Sequence, residues 1–456
     1  MQIHSDIIAP VILGTTSILF FALLGRFAAR RLGQSSVLGE LIIGILIGTL
    51  GYIYSIDFIE VLREGPAIFD IVGQILGGHP IGEAADTVLP NHGEHLLQIL
   101  SGPHGQDYLK VAQTVDIFSR YGIIFMLFLV GLDTSINELK RVGRESTIVS
   151  IIGVAAPFGL GFLLTALLLP EISLKTDLFI AATLIATSIG ITARVLQDLQ
   201  RLQSLSARVI LGAAVIDDVL GLVMLAVVTG LIVSDSFDLI HVATIIGKSV
   251  LFFAASFILG PRLLDFSIWL VRRLDIAEAK MFISFLFVMV LAWLANLIGL
   301  ATIIGAFTAG VILHDGYFRH WGDASQHRLS IKDLIAPLET ILVPIFFVLM
   351  GIQVKLETFL DTHVVFIALL LILIAVIGKL AAGLGARRGC SRLVIGIGMI
   401  PRGEVGLIFA SLGKSLGVLS DSLFSSIVIM VVVTTLITPT LLKYAILRCD
   451  ERHLGT

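Results

Sequence analysis

Apolar residues along this chain arrive in runs separated by short polar segments. A run of about 20 apolar residues crosses the hydrocarbon of a bilayer as one α-helix. The strands of a membrane β-barrel would read instead as alternating segments of about 10 residues. Counting the runs predicts thirteen helices, at about 8–29, 36–54, 117–133, 146–169, 177–196, 208–232, 240–261, 280–298, 301–314, 335–354, 363–386, 393–413 and 422–446. The expected fold class is all-α, a polytopic membrane protein of about 13 transmembrane helices. No linker or low-complexity run divides the chain, so 1–456 reads as a single membrane domain with a long extramembrane loop at 55–116.

Composition agrees with that pattern. Of 456 residues, 56% are hydrophobic and 14% charged, and the mean hydropathy is +1.00. Soluble domains carry about 25% charged residues, so the chain lacks the polar surface that a soluble protein needs. A net charge of −3 offers no basic face to nucleic acid. Cys390 and Cys449 fall in segments read as cytoplasmic, where a disulfide is not expected. The first apolar run is followed by Arg26, Arg30 and Arg31, the reverse of the charge order in a cleavable signal peptide.

Charge bias supplies the expected orientation. With the N-terminus outside and the spans alternating, 22 of the 31 Lys and Arg fall in inside segments and 5 in outside ones. Cytoplasmic loops carry the excess of Lys and Arg, so the N-terminus is expected outside and the C-terminus cytoplasmic. The 55–116 segment then lies outside. It holds His79, His92, His95 and His104, whose spacings fit no compact metal-ligand pattern. Its apolar patches Ile71–Leu76 and His95–Leu100 are expected on the membrane surface.

Charge inside a bilayer is costly, so ionisable residues there pair, line a cavity or carry ions. Asp217, Asp218, Lys248, Lys379, Arg402 and Glu404 fall well inside predicted spans. Arg120, Glu40, Asp133, Asp265 and Glu339 fall at span ends, where snorkelling or capping suffices. Asp217 and Asp218 are neighbours on one helix and point about 100° apart, so each can serve a different partner. A carboxylate facing a water-filled cavity can hold either a proton or a desolvated cation. The lone ammonium of Lys379 needs an acid, and one of the two aspartates is its natural partner. Lys248 lies nearer the outer surface, within snorkelling reach of it.

Two spans look interrupted. The middle of 177–196 reads Ala186-Thr-Ser-Ile-Gly-Ile-Thr192, and that of 393–413 reads Gly396-Ile-Gly-Met-Ile-Pro-Arg-Gly-Glu-Val-Gly406. Unwound backbone at membrane depth survives only inside protein or against water, and its free carbonyls can coordinate a cation. Interrupted segments in separate halves are the sequence mark of an inverted-repeat secondary transporter. Arg402 and Glu404, two apart, cannot face each other on a continuous helix. At a break they are expected to brace crossed half-helices or to gate.

These residues carry a resemblance. Thr187–Thr192, Ile216-Asp-Asp218, Gly305–Gly310, Pro344–Phe347 with Gly351, and Pro401–Gly406 resemble the sodium/proton antiporters of cation:proton antiporter family 2, in their electrogenic Asp-Asp type. The resemblance covers about 36–446 apart from the 55–116 loop. It implies an inverted-repeat fold with two crossed discontinuous helices, and a homodimer. Core helices are then expected at about 146–232 and 363–446, with dimerisation and scaffold helices in the remainder. Asp218 is implied as the Na⁺-binding residue, Asp217 as the partner of Lys379, and Thr187 and Ser188 as enclosing the ion. Thr192 and Pro401 are implied as structural or gating residues at the crossing, with Arg402 and Glu404. The transported Na⁺ (or Li⁺) and H⁺ are the expected small-molecule partners, with no cofactor, no nucleotide and no enzymatic activity.

Potassium/proton exchange on the same scaffold is the alternative. An intramembrane aspartyl protease is a distant one, because its two carboxylates must converge from different helices. A cation channel, finally, has no need of a titrating Lys–Asp pair.

Overall fold

A computed structural model of the chain describes residues 8–454 except 66, 67, 69, 70, 72, 73, 75–92, 135, 170, 171, 235–238, 271–275, 319–328 and 388–390. The described residues form helices joined by turns and irregular stretches, with no strand among them, in keeping with the all-α reading. Among the described residues, ten helices are long and apolar enough to cross a membrane. Two interrupted spans and the short helix Thr302–Ile312 bring the described segments to the thirteen read from the sequence.

The chain divides into two compact units, Met1–Ile123 with Thr340–Leu360, and Ile124–Glu339 with Asp361–Thr456. The first unit contains α1 (Ala9–Arg31), α2 (Ser36–Ile53), α3 (Asp57–Glu64), α4 (Gly93–Ser101) and the first part of α5 (Gly105–Leu132). Helix α2 starts at an N-cap in which the Ser35 hydroxyl accepts from the Leu38 amide at 3.4 Å. It packs on α1 at a glycine contact, where a Cβ on Gly25 would stand 2.4 Å from the Gly39 carbonyl oxygen. The later part of α13 (Ile331–Ile352) also belongs to this unit. It meets α2 at Gly44, Gly48 and Gly351, where an added Cβ would stand 2.3–2.4 Å from a facing carbonyl oxygen. Small residues of this kind let membrane helices approach to backbone contact.

The 55–116 segment differs from the loop the sequence suggested. Residues Asp57–Glu64 form an amphipathic helix whose Val61 and Leu62 are buried, and α5 begins at Gly105, well before the expected 117. Ile71, Leu96 and Ile99, expected on the membrane surface, lie in the core of the first unit. Asp107, Lys110 and Asp116 depress the hydropathy of the first turns of α5 and hide their helical character. His79 and His92 lie outside the described residues, as does the side chain of His95, while His104 is exposed beside Tyr108.

The second unit is built on two similar arrays. In the first, α6 (Ile136–Leu168) precedes the half-helices α7 (Leu174–Thr183) and α8 (Ile189–Asp198), and α9 (Leu205–Ser234) follows. Then come α10 (Leu239–Leu270), α11 (Ile276–Leu297) and α12 (Thr302–Ile312). In the second array, α14 (Thr362–Ala382) precedes the half-helices α15 (Arg392–Gly398) and α16 (Glu404–Ser415), and α17 (Asp421–Leu454) follows. Both leading half-helices start at serine N-caps, Ser173 to the Thr176 amide and Ser391 to the Val394 amide. The repeat is thus one of architecture, long helix, broken helix, long helix, on a sequence that shows no repeated residues.

Candidate ion-translocation site

The two breaks cross. Residues 184–188 separate α7 from α8, and 399–403 separate α15 from α16. The Ser188 amide donates to the Pro401 carbonyl at 2.8 Å, and the Thr187 hydroxyl donates to the Met399 carbonyl at 3.4 Å. The Thr192 hydroxyl donates to the Gly398 carbonyl at 2.6 Å. Each break thereby satisfies part of the backbone that the other leaves unbonded, which is what membrane depth demands. Gly403 is needed where it stands, because a Cβ there would lie 2.6 Å from the Ser188 hydroxyl.

Arg402 locks the crossing from inside. Its side chain is fully buried, and Nη1 donates to the Ala186 carbonyl in the opposite break. The Thr435 hydroxyl of α17 donates to the Arg402 carbonyl. Arg402 Nε and Nη2 have no hydrogen-bond partner, and its charge acts on both Asp217 and Lys379. Glu404 opens α16, and its side chain lies outside the described residues.

Asp217 and Lys379 are in contact. The Lys379 ammonium donates to Asp217 Oδ2 at 3.0 Å and Oδ1 at 3.3 Å, and both side chains are fully buried. Packing makes the space. Gly378 meets Pro157 of α6, where a Cβ would lie 2.7 Å from the proline ring, and Gly153 of α6 leaves room 3.6 Å from Lys379 Nζ. Asp218, one position on, is only half-buried, and its charge also acts on Lys379. The two aspartates therefore occupy different surroundings on one helix. Thr187 is buried at the crossing and Ser188 half-buried beside it. Lys248, by contrast, is exposed on α10 and takes no part in this cluster.

Two of the residues assigned to span ends are interior instead. Glu40 is fully buried and pairs with Arg26 at 2.7 Å. Glu339 is buried within α13 and pairs with Arg194 of α8. Each acid had its partner in another helix, which an end-of-span reading does not reveal. Asp133 pairs with Lys332 at 2.6 Å, and Arg120 is an exposed neighbour of Asp116. Asp177, unremarked in the sequence, is buried on α7 with Oδ1 unbonded. Its place at the start of an apolar run gave it the look of a helix-end acid.

Buried charges beside crossed broken helices narrow the field to transport, and comparison with known proteins decides it. The family described as sodium/hydrogen exchanger, transmembrane, matches residues 17–446. The chain belongs to that family. It is a cation/proton antiporter, not an enzyme. Among its relatives is the high-affinity Na⁺/H⁺ antiporter NhaS3 of Synechocystis, 32% identical over 97% of this chain and 91% of that protein. Another is the Na⁺/H⁺-K⁺ antiporter GerN of Bacillus cereus, 32% identical over 77% of this chain and 88% of GerN. The solved structure of the sodium proton antiporter MjNhaP1 from Methanocaldococcus jannaschii shares the fold, with a TM-score of 0.56 over 96% of both chains at 16% identity.

These findings correct the narrower resemblance to the electrogenic Asp-Asp type of family 2. The shared fold is that of an NhaP-type protein, and the matching family is that of the sodium/hydrogen exchangers at large. The chain is placed in the wider cation/proton antiporter superfamily. The physical reason lies in the pair itself. One aspartate pairs with a buried lysine and its neighbour is only half-buried, an arrangement that does not encode a subtype.

Proposed function

We propose that the transported cation is Na⁺, exchanged for H⁺ at Asp218 by alternating access. The observation carrying this reading is the buried Lys379–Asp217 pair beside the two crossed breaks, with Asp218 next to it and less enclosed. Asp217 and Lys379 neutralise each other inside the protein. Asp218 then takes either a proton or a cation, and this competition for one carboxylate is the coupling, since loading one requires release of the other. Thr187 and Ser188, with carbonyls of the breaks, supply neutral oxygens to a desolvated ion. Arg402, Thr192 and Pro401 hold the crossing in shape, with Glu404 at the start of α16. The similarity to NhaS3, a Na⁺/H⁺ antiporter, and to GerN, a Na⁺/H⁺-K⁺ antiporter, supports the ion.

The protein is proposed to work as a homodimer, with the N-terminus outside and the C-terminus cytoplasmic. The 22 to 5 distribution of basic residues supports the orientation. The name of GerN, which includes K⁺, keeps K⁺/H⁺ exchange as the second reading. Proteoliposomes with an imposed pH gradient test both. Wild type is expected to move protons on addition of Na⁺ and much less on addition of K⁺, and Asp218→Asn is expected to abolish the response. Full exchange in Asp218→Asn would remove Asp218 from the site, and an equal or larger K⁺ response would favour the second reading.

A further inference from the structure

The end of α8 away from the crossing sits in a two-tier polar network that ion binding does not use. The outer tier is partly exposed. Lys332, in the first turn of α13, meets both Asp133 carboxylate oxygens, at 2.6 and 2.9 Å. The Asp133 carbonyl accepts from Gln203 Nε2 at 2.8 Å, and Arg208 Nη2 donates to Gln203 Oε1 at 2.9 Å. The inner tier is buried. Two turns further along α13, Glu339 accepts from Arg194 Nη1 of α8. The two side chains are 7% and 8% exposed.

Two features make this inner tier a switch instead of a brace. One is that Arg194 has a second acid within reach. Its Nε stands 3.5 Å from Asp198 Oδ1, one turn on along its own helix, and makes no hydrogen bond. Breaking a buried ion pair is costly because it strands a charge. Here a small rotation would carry the guanidinium from Glu339 to Asp198, and the cation would never be stranded. The other feature is a weak point in α13. Pro337 lies between Lys332 and Glu339 and has no N–H to offer the Asp333 carbonyl four residues back. The helix can therefore bend between the residue held by the outer tier and the residue held by the inner one.

Helix α8 connects the switch to the ion site. It is 10 residues long. Thr192, in its first turn, donates to the Gly398 carbonyl at the crossing, and Arg194 follows two positions later. A helix this short carries a shift at Arg194 directly to the breaks.

We propose that the Arg194–Glu339 pair is a latch that keeps the α8 side closed in this state. When the site opens to that side, the latch gives way to an Arg194–Asp198 pair. The proposal rests on the alternating-access reading above and adds the residues that gate one side of it.

Two acids beside one arginine then act in opposite directions, and the test reads the sign of each. Exchange by the full-length protein is measured in oriented proteoliposomes with Na⁺ added from either side. Glu339→Gln keeps the shape of the latch and removes its charge. It is expected to lower the half-saturating Na⁺ on the α8 side by about fivefold or more and to raise it on the other side. Asp198→Asn removes the second partner and is expected to raise half-saturation on the α8 side. Hydrogen–deuterium exchange of the same proteins in detergent reads the latch without transport. Uptake over 189–198 is expected to rise in Glu339→Gln and not in Asp198→Asn. Shifts of one sign in both variants, equal shifts on the two sides, or unchanged uptake in Glu339→Gln would overturn the latch. Asp198→Asn leaves the bond between α8 and α13 in place and serves if Glu339→Gln does not fold, and an unmoved half-saturation in it would overturn the latch as well. Opposite signs in these two variants together with full exchange in Asp218→Asn would remove Asp218 from the ion site and leave the latch standing.

Discussion

The seam between α2 and α13 in the first unit and the crossing of the breaks in the second solve the same problem in opposite ways. Both bring backbone against backbone at membrane depth. At the seam, continuous helices keep all their own hydrogen bonds and lose side chains, with Gly44, Gly48 and Gly351 at the contact. At the crossing, the helices give up hydrogen bonds and recover them from each other through Thr187, Ser188 and Thr192. The first arrangement can hold only itself. The second leaves polar backbone, hydroxyls and charges in the interior, where the proposed ion site lies. Rigidity and transport have been built from different economies of the same main chain.

Substitutions separate the two. The largest effect belongs to Asp217→Ala, which strands a fully buried lysine. Breaking such a pair from one side costs about 3–5 kcal/mol. Thermal unfolding of the purified protein should show a large loss of Tm, and Asp217→Asn combined with Lys379→Met should recover most of it without restoring exchange. A double variant as unstable as the single one would mean that the pair is not an isolated charge balance.

Next comes Gly44→Ala at the seam, where the new Cβ meets the Val348 carbonyl at 2.3 Å. Overpacking of this kind costs about 1–3 kcal/mol. The Tm should fall while the apparent affinity for Na⁺ in surviving protein stays at the wild-type value. Thr192→Val at the crossing removes one buried hydroxyl and leaves the Gly398 carbonyl without that donor, a loss of about 1–3 kcal/mol. Here the order of effects should invert, with a modest change in Tm and a clear fall in exchange rate. If Thr192→Val slows nothing, the crossing is as passive as the seam and the contrast fails. Smallest is Arg120→Gln. Its pair with Asp116 is exposed, and such pairs contribute about 0–1 kcal/mol, so neither Tm nor exchange should move measurably.

The crossing was legible in the sequence because its chemistry is local. Glycine, proline and hydroxyl residues gathered in the middle of two apolar runs mark places where a helix cannot easily continue, and both marks fell on real breaks. Lys379 and Asp217 were legible for a related reason, since few charges lie deep in apolar runs and each one stands out. What escaped notice was long-range. Arg194 reads as one more cytoplasmic cation until Glu339, 145 positions away, is seen beside it. Arg63 and Glu357 are 294 positions apart. The early turns of α5 carry enough charge to pass for loop, because burial against α1 and α3 residues is invisible to a window of hydropathy. Gly44 and Gly48 are two among 44 glycines, and only the facing backbone of α13 gives their spacing meaning.

The bonds that join the two breaks link residues more than 200 positions apart along the chain. Their consequence reaches back to the moment of synthesis. Residues 184–188 enter the membrane long before 399–403 have been made, and lipid does not tolerate bare peptide groups. Until Pro401 emerges, the Ser188 amide must lean on water or on some other polypeptide. The first half of the site is therefore assembled as an open joint, completed only when nearly nine-tenths of the chain has left the ribosome.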